Sequence, residues 1–467
     1  MSPRGRNGGD ICAIYVHAGA GFHSYQNERL HLDACNDAAK VAMTLLKNGG
    51  SALDAVEAAL RLMEDREITN AGYGSNLTAE GTVECDATIV DHHGRSGAVG
   101  ACSFVKNPIS VARLLLNCQN KPLPLQRVPP NFLVGQGATD FAYDHGLSIV
   151  PGDYLVSPTA KTRWLRWQHE LEESRKQELE GVTQENSVFP HISATVDPAV
   201  LMTPPSSLND DNPHKANTTP LTNIDLVQRE TRLNTGDGET KYLDHGRLSS
   251  LERKSPLGRS LSDNDQYTDF IEPPRNEGDE DGITDTIGAI AIDCYGNVAA
   301  GSSSGGIGMK HRGRIGPAAL IGIGTAVIPV DPLDPEQTSV AAVTSGTGEH
   351  IGTTLAASTC ATRIYYSDRE DENGMTENVT EEEAIKSMVD KDFMEHPGVK
   401  HSHCEAAIGV MAVKKMKEGL YLFFCHNTDS FALASMTSED KMPRCVMSRR
   451  PRQGTTAQGG RFSRYRR

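Results

Sequence analysis

The stretch "DGITDTIGAIAIDCYGNVAAGSSSGG", residues 281–306, decides the fold. A polar, acidic tract ends there, and an apolar run opens on the hydroxyl of Thr286. The runs 287–292 and 298–304 flank "DCYGN", whose Gly296 and Asn297 are turn residues, so the pattern predicts a β-hairpin. Pairing Ile292 with Val298 carries the register back to Thr286 opposite Ser304, two hydroxyls at the strand ends. Gly305 and Gly306 follow and let another backbone or a ligand come close.

A threonine hydroxyl is a weak nucleophile until a base takes its proton, and the local sequence supplies no His-Asp pair. Cutting the bond between Asp285 and Thr286 would create another kind of base. The freed α-amine, of pKa roughly 7.7–8.0, is partly unprotonated near neutrality and lies beside the hydroxyl it must activate.

Working outward, residues 11–16 form a short β-rich run that breaks at "HAGAG", residues 17–21, which reads as strand and then tight turn. Helical periodicity follows over residues 31–47, stopped by Gly49 and Gly50, and a second helix runs to Met63 behind a capping box of Ser51 and Asp54. β-type runs at 82–91 and 96–105, and again at 406–413, 420–425 and 431–436, predict a largely antiparallel sheet. Residues 159–180 read as one charged helix, with Trp164 and Trp167 on one face. Most of 151–282 is otherwise poor in aromatics and rich in Asn, Asp, Ser, Thr, Pro and Glu. It is expected to be a disordered insertion, too polar to offset the entropy of ordering it. The core is then 1–150 with 283–440, and residues 441–467 are expected to be a disordered tail.

The chain has 467 residues and a formal net charge of −15, which argues against wholesale nucleic-acid binding. The tail is a local exception. Arg449, Arg450, Arg452, Arg461, Arg464, Arg466 and Arg467 stand there with no acidic residue after position 447, which reads as a solvated, disordered end or else as a nuclear-import or anion-binding patch. Ten cysteines without a C-x-x-C pair read as buried thiols of a reducing compartment. His401, His403 and Cys404 lack a second cluster at finger spacing, so a surface loop is expected rather than a metal site. With no signal or membrane segment evident near position 1, the chain is expected to be intracellular, and the import reading of the tail would make its location cytoplasmic and nuclear.

Several motifs recur in order: "HAGAG", "NAGYGSNL" at 70–77, "ECDATIVD", "KNPISVAR", "TIGAIAIDCYGNVAA" with "SSSGG", "HRGRIG" and "TSGTGEH". Together they resemble the N-terminal-threonine hydrolases of the plant-type asparaginase family, over residues 11–150 and 284–436. Within it the chain is most similar to the threonine aspartases, endopeptidases that cut nuclear transcriptional regulators after aspartate. The resemblance implies an α+β fold, an αββα four-layer sandwich, made as a precursor that cleaves itself at Asp285-Thr286. An α chain of 1–285 and a β chain of 286–467 result, and the αβ units are expected to pair into a heterotetramer without cofactor or metal.

By motif position, the resemblance makes Thr286 the nucleophile and, once freed, its own base. Ser304 supports the hydroxyl, and Asn70 with Ser345, Gly346 and Gly348 forms the oxyanion and substrate-positioning side. Arg314 is the carboxylate clamp. Without the resemblance the glycines are tight turns, Ser304 a cross-strand hydroxyl, Ser345 a loop hydroxyl and Arg314 a surface arginine.

One departure bears on substrate. Amino-acid-cleaving members carry G-R-x-G-D, whose aspartate holds the substrate ammonium, and here Pro317 occupies that position. A free ammonium would be left buried and unpaired, whereas the main-chain nitrogen of a peptide cut after Asp is an uncharged amide. The expectation is therefore protein cleavage after Asp. A glycosylasparaginase-like amidase and a catalytically idle scaffold acting through insertion and tail are the alternatives.

Overall fold

A computed structural model describes residues 11–185, 286–452 and 454–465. The insertion from 186 to 285, with Asp285, lies outside the described residues, and so does the expectation that it is disordered.

Two sheets carry the fold. The first has eight strands in the order β14 (Arg444–Arg449), β13 (Ser430–Thr437), β1 (Ala13–Gly21), β5 (Ile287–Ile292), β6 (Val298–Ser304), β2 (Cys85–Val90), β3 (Ser96–Cys102) and β4 (Phe132–Val134). The second has five: β15 (Ala457–Arg464), β12 (Gly419–His426), β11 (Ile408–Met416), β8 (Ser339–Gly346) and β7 (Thr325–Ile328). Strands β9 (Asp368–Glu370) and β10 (Thr376–Asn378) form a separate hairpin. Every pairing is antiparallel except β3 with β4.

Strand alternation sorts the side chains into layers. On β5, Ile287, Ala289 and Ala291 face a core shared with α1 (Glu28–Lys47), α2 (Ala52–Glu64), α3 (Pro108–Cys118) and α4 (Gly135–Asp144). Ile290 and Ile292 face the other way, into a core with Val343 of β8 and Met411 of β11. On its far side the second sheet is covered by α6 (Ala356–Tyr366), α7 (Glu381–Ser387) and the π-helical turn Met388–Phe393. This is the αββα sandwich. The α2 helix begins where the capping box predicts, with Asp54 N donating to Ser51 Oγ and Ser51 N to Asp54 Oδ2.

Two expectations are corrected. The strand over 11–16 does not turn at "HAGAG" but continues to Gly21, because Gly19, at φ +116°, absorbs a bulge against β13 between His17 and Gly19. The bulge reverses the alternation, so that Ala20 joins Ala13 and Tyr15 in the core between the sheets. The expected disordered tail contains β14 and β15, which pair with β13 and β12. Its arginines are held: Arg449 by the His23 carbonyl and Glu28, Arg450 by the Asn427 carbonyl, and Arg461 by Asp440 and Ser435. A basic composition reads as a loose end only when its partners, far away in sequence, are left out.

The charged helix is α5 (Pro158–Glu185). Its first turns dock on the core. Trp164 Nε1 donates to the Thr78 carbonyl, and the ring covers Gly81, where a Cβ would stand 3.1 Å from it. Trp167 lies against Gly308, where a Cβ would come within 2.1 Å. Among the described residues no helix is long and apolar enough to cross a membrane, and no group of three His, Cys, Asp or Glu could hold a metal ion.

Candidate active site

The hairpin register is Ile292↔Val298 through Ile287↔Ser303, so Thr286 stands beside Ser304 at its end. Period two puts Thr286 on the face of Ile290 and Ile292, and Ser345 on the face of Val343. Both residues therefore stand at the end of the space between the sheets, with Thr286 only 4% exposed.

Ser345 Oγ accepts from Thr286 N at 3.1 Å and from Ala20 N at 3.0 Å. It thus joins β8, β1 and the start of β5. Just beyond it Gly346, at φ +137°, leaves room for a turn on which a Cβ would meet the Ala407 carbonyl at 2.2 Å. The Ser304 hydroxyl, expected to support that of Thr286, accepts from Gly306 N at 3.0 Å. β6 ends at Ser304, Gly306 stands at φ +72°, and the Ser304 side chain stabilises the turn between them.

Asn70, expected as an oxyanion donor, is engaged in building that turn. Its Nδ2 donates to the Gly306 carbonyl at 2.8 Å, its Oδ1 accepts from Asn76 N at 2.9 Å, and its own carbonyl accepts from Gly305 N at 2.8 Å. Asn76 adds a second amide bond to the Gly306 carbonyl, and Arg163 of α5 reaches both Asn76 Oδ1 and the Gly74 carbonyl. A chain of polar contacts therefore ties the insertion's helix to the loop after Ser304.

Arg314 comes from the next loop, and its side chain is 14% exposed. Its Nη1 lies where Cβ atoms on Gly306 and Gly316 would come within 2.8 and 2.7 Å, and its Nη2 where one on Gly348 would come within 2.5 Å. These glycines are the clearance for the guanidinium. The loop is fixed from below by Asp86, whose carboxylate accepts from Gly316 N and Ala101 N. Burial raises the Asp86 pKa, with the Lys310 charge and those N–H groups opposing. Pro317 is buried, packs on Gly348, and opens a 3-10 turn to Ala319.

Three residues of the site were not singled out from sequence. His17, which opens the motif "HAGAG", lies fully buried beside the start of β5: a Cβ at Gly288 would stand 2.2 Å from its Nε2. Burial holds its imidazole neutral, lowering the pKa to about 3, with the Thr286 backbone working weakly the other way, and neither ring nitrogen makes a well-formed hydrogen bond with a described residue. Lys310, also buried, donates to the Glu84 carbonyl. Glu349 grips Arg314, Oε1 accepting from Nε at 3.0 Å and from Nη2 at 2.9 Å, and Oε2 from Nη2 at 3.0 Å. Only the motif "TSGTGEH" signalled Glu349, and its partner 35 positions earlier could not be read from spacing.

The constellation is a buried threonine at a strand start, a hydroxyl on its backbone nitrogen, and an arginine fork between two glycine loops. It has the parts for attack on a carbonyl whose substrate carries a carboxylate. Comparison with known sequences is consistent with these parts. Residues 11–197 and 228–398 match the family described as Asparaginase. A putative isoaspartyl peptidase/L-asparaginase of Dictyostelium discoideum is 26% identical over 365 residues, 76% of this chain and 79% of that protein. The isoaspartyl peptidase of Salmonella typhimurium is 26% identical over 359 residues, again 76% of this chain and 79% of that protein. The isoaspartyl peptidase/L-asparaginase of Homo sapiens is 39% identical over 160 residues, 34% of this chain and 49% of that protein, so this match spans about half of its length.

Proposed function

The chain belongs to the asparaginase family of N-terminal-nucleophile hydrolases, and from that premise we propose that it is a threonine aspartase, an endopeptidase that frees Thr286 by cutting its own chain and then cuts other proteins after aspartate. The observation that carries the reading is Pro317. At the position where an ammonium-binding carboxylate is expected after the clamp arginine, a buried proline packs on Gly348 and offers neither charge nor donor.

In this reading self-cleavage begins with attack of Thr286 Oγ1 on the Asp285 carbonyl carbon. The C–N bond to Thr286 breaks, the nitrogen takes up a proton, and an ester links Asp285 to the threonine oxygen. Water then hydrolyses the ester, leaving a carboxylate on Asp285 and a free amine on Thr286. That amine inherits the Ser345 hydroxyl, which already accepts from Thr286 N. In turnover the amine takes the hydroxyl proton and later delivers it to the leaving nitrogen. Arg314 holds the aspartate side chain, a charge-assisted contact typically worth about 1.5–3 kcal/mol.

A second reading, an amidohydrolase acting on free asparagine or β-aspartyl dipeptides, has one observation in its favour. Glu349 puts a carboxylate beside Arg314, where an ammonium could find it. A side-by-side assay decides between them, with a peptide carrying an internal Asp, a β-aspartyl dipeptide and free asparagine offered to the purified protein. Faster cleavage of the Asp peptide is expected. Faster release of ammonia from asparagine, or of aspartate from the dipeptide, overturns the endopeptidase reading.

A further inference from the structure

We propose that Glu349 is a positioning residue. It holds the Arg314 guanidinium by its Nε–Nη2 edge and so presents the Nη1–Nη2 edge to the carboxylate of the substrate. The inference rests on the reading that Arg314 binds that carboxylate, and it applies whether the substrate is a protein or an amino acid.

An arginine fork has two edges on which a carboxylate can seat side by side: the lateral one, Nε with Nη2, and the terminal one, Nη1 with Nη2. Glu349 occupies the lateral edge, with three contacts of 2.9–3.0 Å. Nη1 donates to no described residue. The terminal edge is also the one cleared of side chains, since Gly306 and Gly316 lie against Nη1 and Gly348 against Nη2. Gly306 follows Ser304 by two residues and Gly348 follows Ser345 by three, so both loops that flank this edge lead away from residues beside Thr286. The open edge therefore belongs to the nucleophile's side of the fork.

The burial of the pair is asymmetric. Arg314 is 14% exposed and Glu349 60% exposed. An ion pair with one partner this wet adds little to stability, because water screens it. Its effect is geometric. Asp86 fixes the loop through backbone N–H groups and makes no hydrogen bond to the guanidinium, so Glu349 is the described side chain that sets the rotation of the fork. Without it the arginine keeps its charge and loses its aim.

The test uses full-length, self-cleaved protein and whichever of the three substrates it turns over. Glu349→Ala should raise KM roughly tenfold while kcat changes less than about twofold, as expected for coupled neighbours that act in binding. Glu349→Gln, which keeps one acceptor and the shape of the side chain, should fall between wild type and Ala. Arg314→Ala and the double variant Arg314→Ala with Glu349→Ala should have the same KM, since an orienting residue has nothing to orient once the fork is gone. A Glu349→Ala KM that is unchanged or lower overturns the proposal, the latter because Glu349 would then compete with the substrate. Additive losses in the double variant overturn it as well. If free asparagine proves to be the preferred substrate, the endopeptidase reading fails while the KM series on asparagine still decides the role of Glu349.

Discussion

Thr286 and Ser345 are 59 positions apart, yet one hydroxyl receives the other residue's backbone N–H. Thr286 was legible in the sequence because the acidic tract, the Asp before it and the strand after it leave an ordinary strand residue unexplained. Ser345 was named only through the family resemblance, and its contact with the Thr286 nitrogen was not legible, because it depends on how two sheets stack, which no periodicity within one strand encodes. If Thr286 is the nucleophile, Thr286→Ala should leave a single uncut chain without activity, while Thr286→Ser should still cut itself and turn over substrate more slowly. Gel analysis and N-terminal sequencing of the smaller fragment check both. A second residue makes a pH prediction. Glu64, at the end of α2, is fully buried; burial raises its pKa to about 8, against the bonds its carboxylate accepts from Ser303 Oγ and Ile109 N. A carboxyl that binds its proton more tightly when folded stabilises fully below its unfolded pKa, and that contribution is lost as pH rises through the folded value. Glu64→Gln removes the titration. Measured as a difference at each pH, so that the buried histidines common to both proteins cancel, the Tm of wild type should fall by several degrees relative to Glu64→Gln between about pH 5 and about pH 8.5.

At the scale of elements, the hairpin of β5 and β6 was read to its last pair, since the turn residues Gly296 and Asn297 fix the register and buried faces forbid a slip. The chain's end was misread. Arg461 was counted as a loose positive charge, and it is the partner of Asp440 on the neighbouring sheet's edge. β15 pairs with β12 over eight positions, from Gly419↔Arg464 to His426↔Ala457, and Phe462 stacks on Tyr421 at 4.4 Å between centroids. Removing residues 456–467 should therefore bare the β12 edge, lower Tm by more than about 5 °C and promote association. Thermal melting and size-exclusion chromatography would show it. A disordered tail would leave both unchanged.

Across the whole molecule, the first sheet interleaves the two sides of the Asp285-Thr286 bond. β1, from before it, is flanked by β13 and β5, both from after it, and β2 is paired with β6 across the same divide. A cut there breaks one covalent bond and no ladder, so the two fragments should elute together in buffer and part only in denaturant. Recovery afterwards is where the two forms differ. An uncut chain refolds by a first-order process, indifferent to dilution. Cut chains must find each other before β1 can be bracketed, so their return of native structure becomes second order and slows as the solution is diluted. Refolding Thr286→Ala and processed wild type across a hundredfold range of about micromolar concentrations should give one rate that stays constant and one that falls with dilution. If the chain does cut itself, the interleaved sheet would make maturation a step taken once: the processed pair would keep its fold from the chain in which it was formed.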